Sequence, residues 1–275
     1  MDLEKMMRES TKRGIGVLMP HIYYGDPTQE FSRRLISMMA KNGADIIEYG
    51  IPFSDPTADG PTFQAACERA LKRGVTPPEC LRDLRQLREN GLKTPVIVTT
   101  YYNIPYVMGI GDFLREMVSA KAQGVIIPNL PFEEADNLLA QAQEQGIHVI
   151  LMVAPTTAEE RLKRIAEAAS GFIYVMNVEG VTGARETLGN PTLKLIERVR
   201  RHTDIPIMAG FGISNGEQAA AVTEAGADGV IAGSVFSKIY EANLCEPYES
   251  LSEIARLVRE LKEGCNEGIR RRQGR

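Results

Sequence analysis

A chain of 275 residues can bury one large core without needing a second domain. Its 43% hydrophobic and 25% charged content is ordinary for a soluble globular protein, and a formal net charge of −4 argues against nucleic acid as its main partner. No apolar run approaches the roughly 20 residues of a membrane-crossing helix, so no membrane role is expected.

The first thirteen residues, MDLEKMMRESTKR, are charged and read as a short helix rather than a signal or transit peptide. The cytoplasm is therefore the expected location. Short apolar, β-branched runs then alternate with longer amphipathic stretches. The runs fall at 16–22, 45–49, 95–100, 124–128, 148–153, 172–176, 205–209 and 229–232. Most are near-continuously hydrophobic, as parallel strands covered on both faces should be. Helices are expected between them, for example over 29–42, 132–145, 158–169 and 216–225. Several of these end in a glycine suited to a helix stop, as in Asn42-Gly43, Gln145-Gly146 and Ala225-Gly226.

Eight strand–helix units with no linker between them predict an α/β fold: a single (β/α)8 barrel, the TIM-barrel architecture, capped by the N-terminal helix. The one domain is expected to span 1–275, with the barrel at about 14–265. The arginines at 270–272 and Arg275 give the segment 266–275 the look of a frayed basic tail.

In this architecture active sites form at the C-terminal ends of the strands. After the second run comes a segment, 48–62, with three carboxylates (Glu48, Asp55, Asp59) and three prolines (Pro52, Pro56, Pro61). It is too rigid and acidic for a mere connector. Glu48 follows Ile46 and Ile47. Pointing into the barrel, it would have apolar walls that raise its pKa and suit it to proton transfer. Pointing outward, it would pair with a cation or meet solvent, and both readings stand. Glycine loops follow the last two runs, at Gly210-Phe211-Gly212 and Gly233-Ser234, and a third, Gly180-Val181-Thr182-Gly183, follows the sixth. Each by itself is compatible with a tight turn. Three in succession favour backbone binding of a phosphate.

Absent features narrow the chemistry. No lysine stands at the C-terminal end of a run, which disfavours a Schiff-base aldolase. The histidines, His21, His148 and His202, are scattered, and Cys67, Cys80, Cys245 and Cys265 lack CxxC spacing. The cysteines are expected to be reduced, and no metal site is expected. Acid–base chemistry by carboxylates on a phosphorylated ligand remains.

The stretch Glu48-x-Gly50-Ile51-Pro52-Phe53-Ser54-Asp55-Pro56-x-Ala58-Asp59-Gly60-Pro61 resembles the signature of the tryptophan synthase α-subunit family. Supporting matches are Gly25-Asp26-Pro27, Tyr101, Asn103, the 180–183 loop and Gly210-Phe211-Gly212-Ile213-Ser214, and the similarity covers about 10–265. The resemblance implies retro-aldol cleavage of indole-3-glycerol phosphate to indole and glyceraldehyde 3-phosphate. It implies Glu48 as acid–base residue and Asp59 as the carboxylate holding the indole N–H, oriented by Thr182. It places the phosphate on Gly183, Gly212, Gly233 and Ser234; the substrate is expected among Tyr101, Tyr174, Thr182 and Phe211, with His21 and Asn129 added by their positions at the ends of the first and fourth runs. It further implies no cofactor in this chain, and a pyridoxal-phosphate-dependent β-subunit partner facing Asp55 and Pro56 in an α2β2 assembly. Another phosphosugar lyase or isomerase, or a mainly regulatory partner of a β subunit, are the alternatives.

Departures from the family pattern are His21, Tyr23, Asn129, Asn177 and Glu179. His21 and Asn129 are expected at the mouth holding the aglycone, where a neutral amide would favour ionised Glu48 and weaken it as a proton donor. Alternatively Asn129 bonds a loop backbone and His21 packs as a core imidazole.

Overall fold

The computed structural model describes residues 2–176, 190–210 and 212–274. The strands are β1 (Val17–Tyr23), β2 (Ile47–Gly50), β3 (Val96–Thr99), β4 (Gly124–Ile126), β5 (His148–Val149), β6 (Leu151–Val153), β7 (Ile173–Met176), β8 (Ile207–Gly210) and β9 (Gly229–Ala232). All pairings are parallel, in the order β5-β4-β3-β2-β1-β9-β8-β7-β6. The ends of that order, β5 and β6, are one extended run interrupted at Ile150. Its amide still donates to the carbonyl of Val125 (2.9 Å), while β6 pairs with β7. The expected fifth strand is thus one run that changes partners, and it completes the ring of a TIM barrel.

Side chains alternate across each strand, so every strand serves two cores. The outward set, including Leu18, Ile47, Val98, Val125 and Val230, packs under the surrounding helices. The inward set is Val17, Met19, Ile46, Ile97, Ile126, Ile150, Phe172, Tyr174, Met208 and Ile231. Helix Leu3–Lys12 closes the bottom of that inner set, burying Leu3 and Met7 completely. This is the capping role expected of the N-terminal helix. The expected helix over 132–145 is in two pieces, a 3-10 turn at Phe132–Glu134 and a helix at Asp136–Glu144.

The frayed basic tail is corrected. Helix Leu251–Arg272 carries the arginines as its last turn. Arg270 pairs with Glu263, Arg271 with Glu267 and Glu224, and Arg272 donates to the carbonyl of Ala227 (3.0 Å) and to Asp228 (3.4 Å). Acidic residues one or two turns back and a fixed carboxylate beneath β9 supply partners that a local reading of the run does not reveal. Glycine is required where this helix crosses Gly216–Glu224, because a Cβ at Gly264 would lie 2.2 Å from the carbonyl oxygen of Gly216.

Because Leu3 and Met7 fill the floor of the barrel, Leu3→Ala or Met7→Ala is expected to cost about 2–5 kcal/mol in urea unfolding. An unchanged midpoint in both variants would show the helix to be dispensable to the inner core.

Candidate active site

The inner apolar residues predict what lies above them, since positions two residues further along each strand face the same way. Above Met19 comes His21, above Ile46 Glu48, above Ile97 Thr99, above Met208 Gly210 and above Ile231 Gly233. A polar and glycine layer therefore rests directly on a solid hydrocarbon floor. Glu48 points inward, which decides between its two readings.

Glu48 is 2% exposed, and its Oε1 accepts a hydrogen bond from the Thr99 hydroxyl (2.6 Å). His21, its register partner on β1, places Nδ1 3.4 Å from the same oxygen. Among the described residues, Glu48 Oε2 has no hydrogen-bond partner. Burial pushes the carboxyl up to about 8; the Thr99 bond opposes this and the charge of Asp59 adds to it. Burial likewise lowers His21 to about 3, so the imidazole is neutral.

Asp59 stands in the loop before helix Pro61–Lys72, which starts with proline at its first position. Its Oδ2 accepts from two phenols, Tyr23 (2.7 Å) and Tyr101 (2.6 Å). Burial raises the Asp59 pKa, and the bonds from Tyr101 and Tyr23 pull against it. Tyr101 also accepts from the amide of Ala58 (3.0 Å) and stacks on Phe53 at 5.2 Å, which fixes the 51–60 loop against β3. Phe63 packs edge-on to Tyr23 (5.2 Å) and tilted over His21 (4.5 Å).

Tyr174 lies in the same interior, and a Cβ at Gly210 would fall 2.5 Å from its hydroxyl, so glycine is what lets the phenol fit there. Gly212 has φ +77° and open space where a side chain would project. Gly233 caps helix Ser234–Glu241, with Ser234 as its first residue. Expectations at Thr182, Gly183, Phe211, Asn177 and Glu179 lie outside the described residues.

The geometry selects the second of the two readings at Asn129, the bond to a loop backbone, and changes the expectation at Pro56. Asn129 is exposed; its side-chain oxygen accepts from the amide of Tyr102 (2.8 Å) and its amide reaches Asn103 (3.4 Å). It braces the loop after β3 and carries no charge link to Glu48, whose carboxyl is governed by burial. Pro56 is buried within its own chain, so only Asp55 of the pair presents an exposed side chain. Thr99 and the role of Tyr23 escaped the sequence reading. The period-2 pattern counted upward from Ile97 would have found Thr99. Nothing local tells that Tyr23 reaches Asp59, 36 positions away. A cleft of about 190 Å³ between Val118, Gln123 and His148 lies at the opposite ends of the strands and holds no carboxylate.

A profile of the family described as "Tryptophan synthase alpha chain" matches residues 7–266. The chain belongs to the tryptophan synthase alpha family. The alpha chain of Methanopyrus kandleri is 41% identical over 98% of this chain and 97% of its own, and that of Methanosarcina mazei 45% identical over 90% and 89%. Among solved structures, tryptophan synthase subunit alpha from Legionella pneumophila superposes with a TM-score of 0.87 at 33% identity, covering 97% of this chain and 99% of that one. Tryptophan synthase of Mycobacterium tuberculosis gives 0.87 at 32%, covering 96% and 98%. This alpha-family member is thus a TIM-barrel lyase of tryptophan biosynthesis.

The buried carboxyl predicts how the stability of this alpha chain depends on pH. Glu48 has an ordinary value of 4.5 and a folded one of about 8, so between them the folded state holds the extra proton. Its contribution is fully present below 4.5 and is lost as pH rises through about 8. Glu48→Gln removes that loss, so its unfolding free energy should gain on wild type from pH 5 to pH 8, by roughly a few kcal/mol at most. Parallel stability–pH curves for the two proteins would contradict the raised pKa.

Proposed function

We propose that this chain cleaves indole-3-glycerol phosphate to indole and glyceraldehyde 3-phosphate by a retro-aldol reaction. The observation carrying this reading is a pair of carboxyls held in opposite roles. Carbon 3 of the indole must gain a proton before the ring can accept the electrons of the breaking carbon–carbon bond. Glu48, kept protonated by the apolar floor and with Oε2 unpartnered, suits that donor role. The ring N–H then becomes more acidic, and a carboxylate beside it offsets the developing charge. Asp59 suits this task because both phenols bond Oδ2 and leave Oδ1 for the ring.

The phosphate end falls to Gly212, Gly233 and Ser234. Gly212 has room beside its backbone, and Gly233 opens a helix whose first amides favour an anion. Thr182, Gly183 and Phe211 keep the roles the family resemblance assigns them. His21, Tyr101 and Tyr174 bound the aglycone side. None of these steps calls for a cofactor in this chain, and pyridoxal phosphate belongs to the β-subunit partner. That partner would face the exposed Asp55 together with Tyr106 and Val107, which are 72% and 82% exposed on helix Asn103–Met108. The cytoplasm is the location that suits such an enzyme.

Indole release from indole-3-glycerol phosphate, with and without a β subunit, tests the reaction. Wild type should release indole, and Glu48→Gln should lower kcat by about 10²–10⁴ with KM little changed. Near-normal turnover in that variant would overturn the assignment of Glu48.

A further inference from the structure

Two buried polar atoms in the interior have no hydrogen-bond partner among the described residues, and they belong to neighbouring side chains: Glu48 Oε2 and His21 Nε2. An unpaired buried acceptor or donor costs free energy, about 1–3 kcal/mol, unless something else satisfies it. These two flank one contact, the 3.4 Å approach of His21 Nδ1 to Glu48 Oε1. Oε1 already accepts from Thr99, so it is the acceptor oxygen of a neutral carboxyl, and the acid proton sits on Oε2. A neutral imidazole carries one ring proton, and with that proton on Nδ1, the nitrogen nearer this oxygen, a lone pair is left on Nε2. Phe63 and Tyr23 hold the ring at centroid distances of 4.5 and 5.1 Å, and the backbone of Gly50 runs close beneath Nε2. Among the described residues, the other ionisable groups around this interior are Asp59, Cys67, Tyr23, Tyr101 and Tyr174, and burial pushes the Cys67 thiol up to about 12. The three phenols are raised by burial and are not bases at neutral pH.

We propose that His21 is a second catalytic residue of this site, whose Nε2 accepts the proton of the substrate hydroxyl while Nδ1 passes its own to Glu48. This rests on the retro-aldol reading and completes its proton balance. Glu48 Oε2 gives a proton to indole carbon 3. The hydroxyl on the adjacent glycerol carbon loses its proton to Nε2, its O–H electrons form the carbonyl, and the carbon–carbon electrons return to the ring. The Nδ1 proton moves to Glu48 Oε1 in the same event. No imidazolium accumulates, the carboxyl ends protonated, and the imidazole ends as its other neutral tautomer. Three proton transfers close the balance, and the imidazole spans the gap between the substrate hydroxyl and Glu48, so no single oxygen of the carboxyl must both give and take a proton in one step.

The test compares wild type, His21→Phe and His21→Gln in indole release across pH 5–9. Phenylalanine keeps the aromatic packing on Phe63 and Tyr23, and glutamine keeps a polar acceptor but cannot relay a proton. Both are expected to lose about 10²-fold or more in kcat with KM within a few-fold. The residual rate of His21→Phe should rise with pH below about 8, where wild type is flat, because hydroxide must replace the lost base. Nitrogen-15 NMR of wild type should show the Nδ1-protonated tautomer. An active wild type with near-normal kcat in either variant would overturn the role of His21 alone, as would an Nε2-protonated ring. A wild type that releases no indole would overturn the reaction and this role together.

Discussion

Everything chemical in this barrel depends on the hydrocarbon packed beneath Glu48. Met19, Ile46, Ile97, Ile126, Ile150, Phe172, Met208 and Ile231 fill the interior, and Leu3 and Met7 seal it from below. Water cannot reach the carboxyl from that side, and its neighbours offer one hydroxyl and one neutral imidazole in place of a cation. Ionisation is therefore penalised, and an ordinary glutamate becomes an acid that keeps its proton at neutral pH. A cavity in the floor would admit solvent and weaken that effect. Packing quality and acid strength are thus the same property seen at two levels.

The second carboxylate shows how neighbours set roles apart. Asp59 stands about a dozen residues further on, also largely removed from water, but two phenols donate to it. These bonds favour the charged form and oppose the effect of burial. One carboxyl is left neutral with a free oxygen, and the other is held by donors in a fixed orientation. The difference lies in the count of hydrogen-bond donors, one hydroxyl against two phenols.

The elements carrying the two carboxyls are tied together behind the site. Asp26, after β1, is 1% exposed and accepts from Arg69 at 2.6 and 2.9 Å and from the Tyr240 hydroxyl at 2.6 Å. Arg69 in turn bonds Glu241 (2.8 Å). The helix following the Asp59 loop and the helix that opens at Gly233 are thereby clamped to the first loop. Isolated surface pairs contribute little, but this one is buried and bidentate, so its geometry is what matters. At the opposite end Asp228 does comparable work, accepting from Arg200 (2.6 Å), the amide of Ile207 (2.9 Å) and Arg272 (3.4 Å). That hub orders the C-terminal arginines.

Much of this was legible in the chain itself, because parallel strands and their covering helices leave local periodic signatures. The eight runs, the capping helix, the acidic 48–62 segment and the glycine loops follow from short-range patterns. Hydrophobic alternation is set by the geometry of a strand, whatever surrounds it. The side to which Glu48 turned was left open, since period 2 gives two faces without saying which is the interior; the inward ring of Ile46 and its neighbours decided it. Tyr23 meeting Asp59, Thr99 and His21 meeting Glu48, and Arg272 meeting Asp228 join residues far apart in the chain. Asn129 likewise meets a partner from another strand's loop, accepting from the amide of Tyr102. Sequence spacing carries element type, because that is a property of neighbours along the backbone. Partner choice and pKa belong to neighbours in space, and only ring closure brings those together.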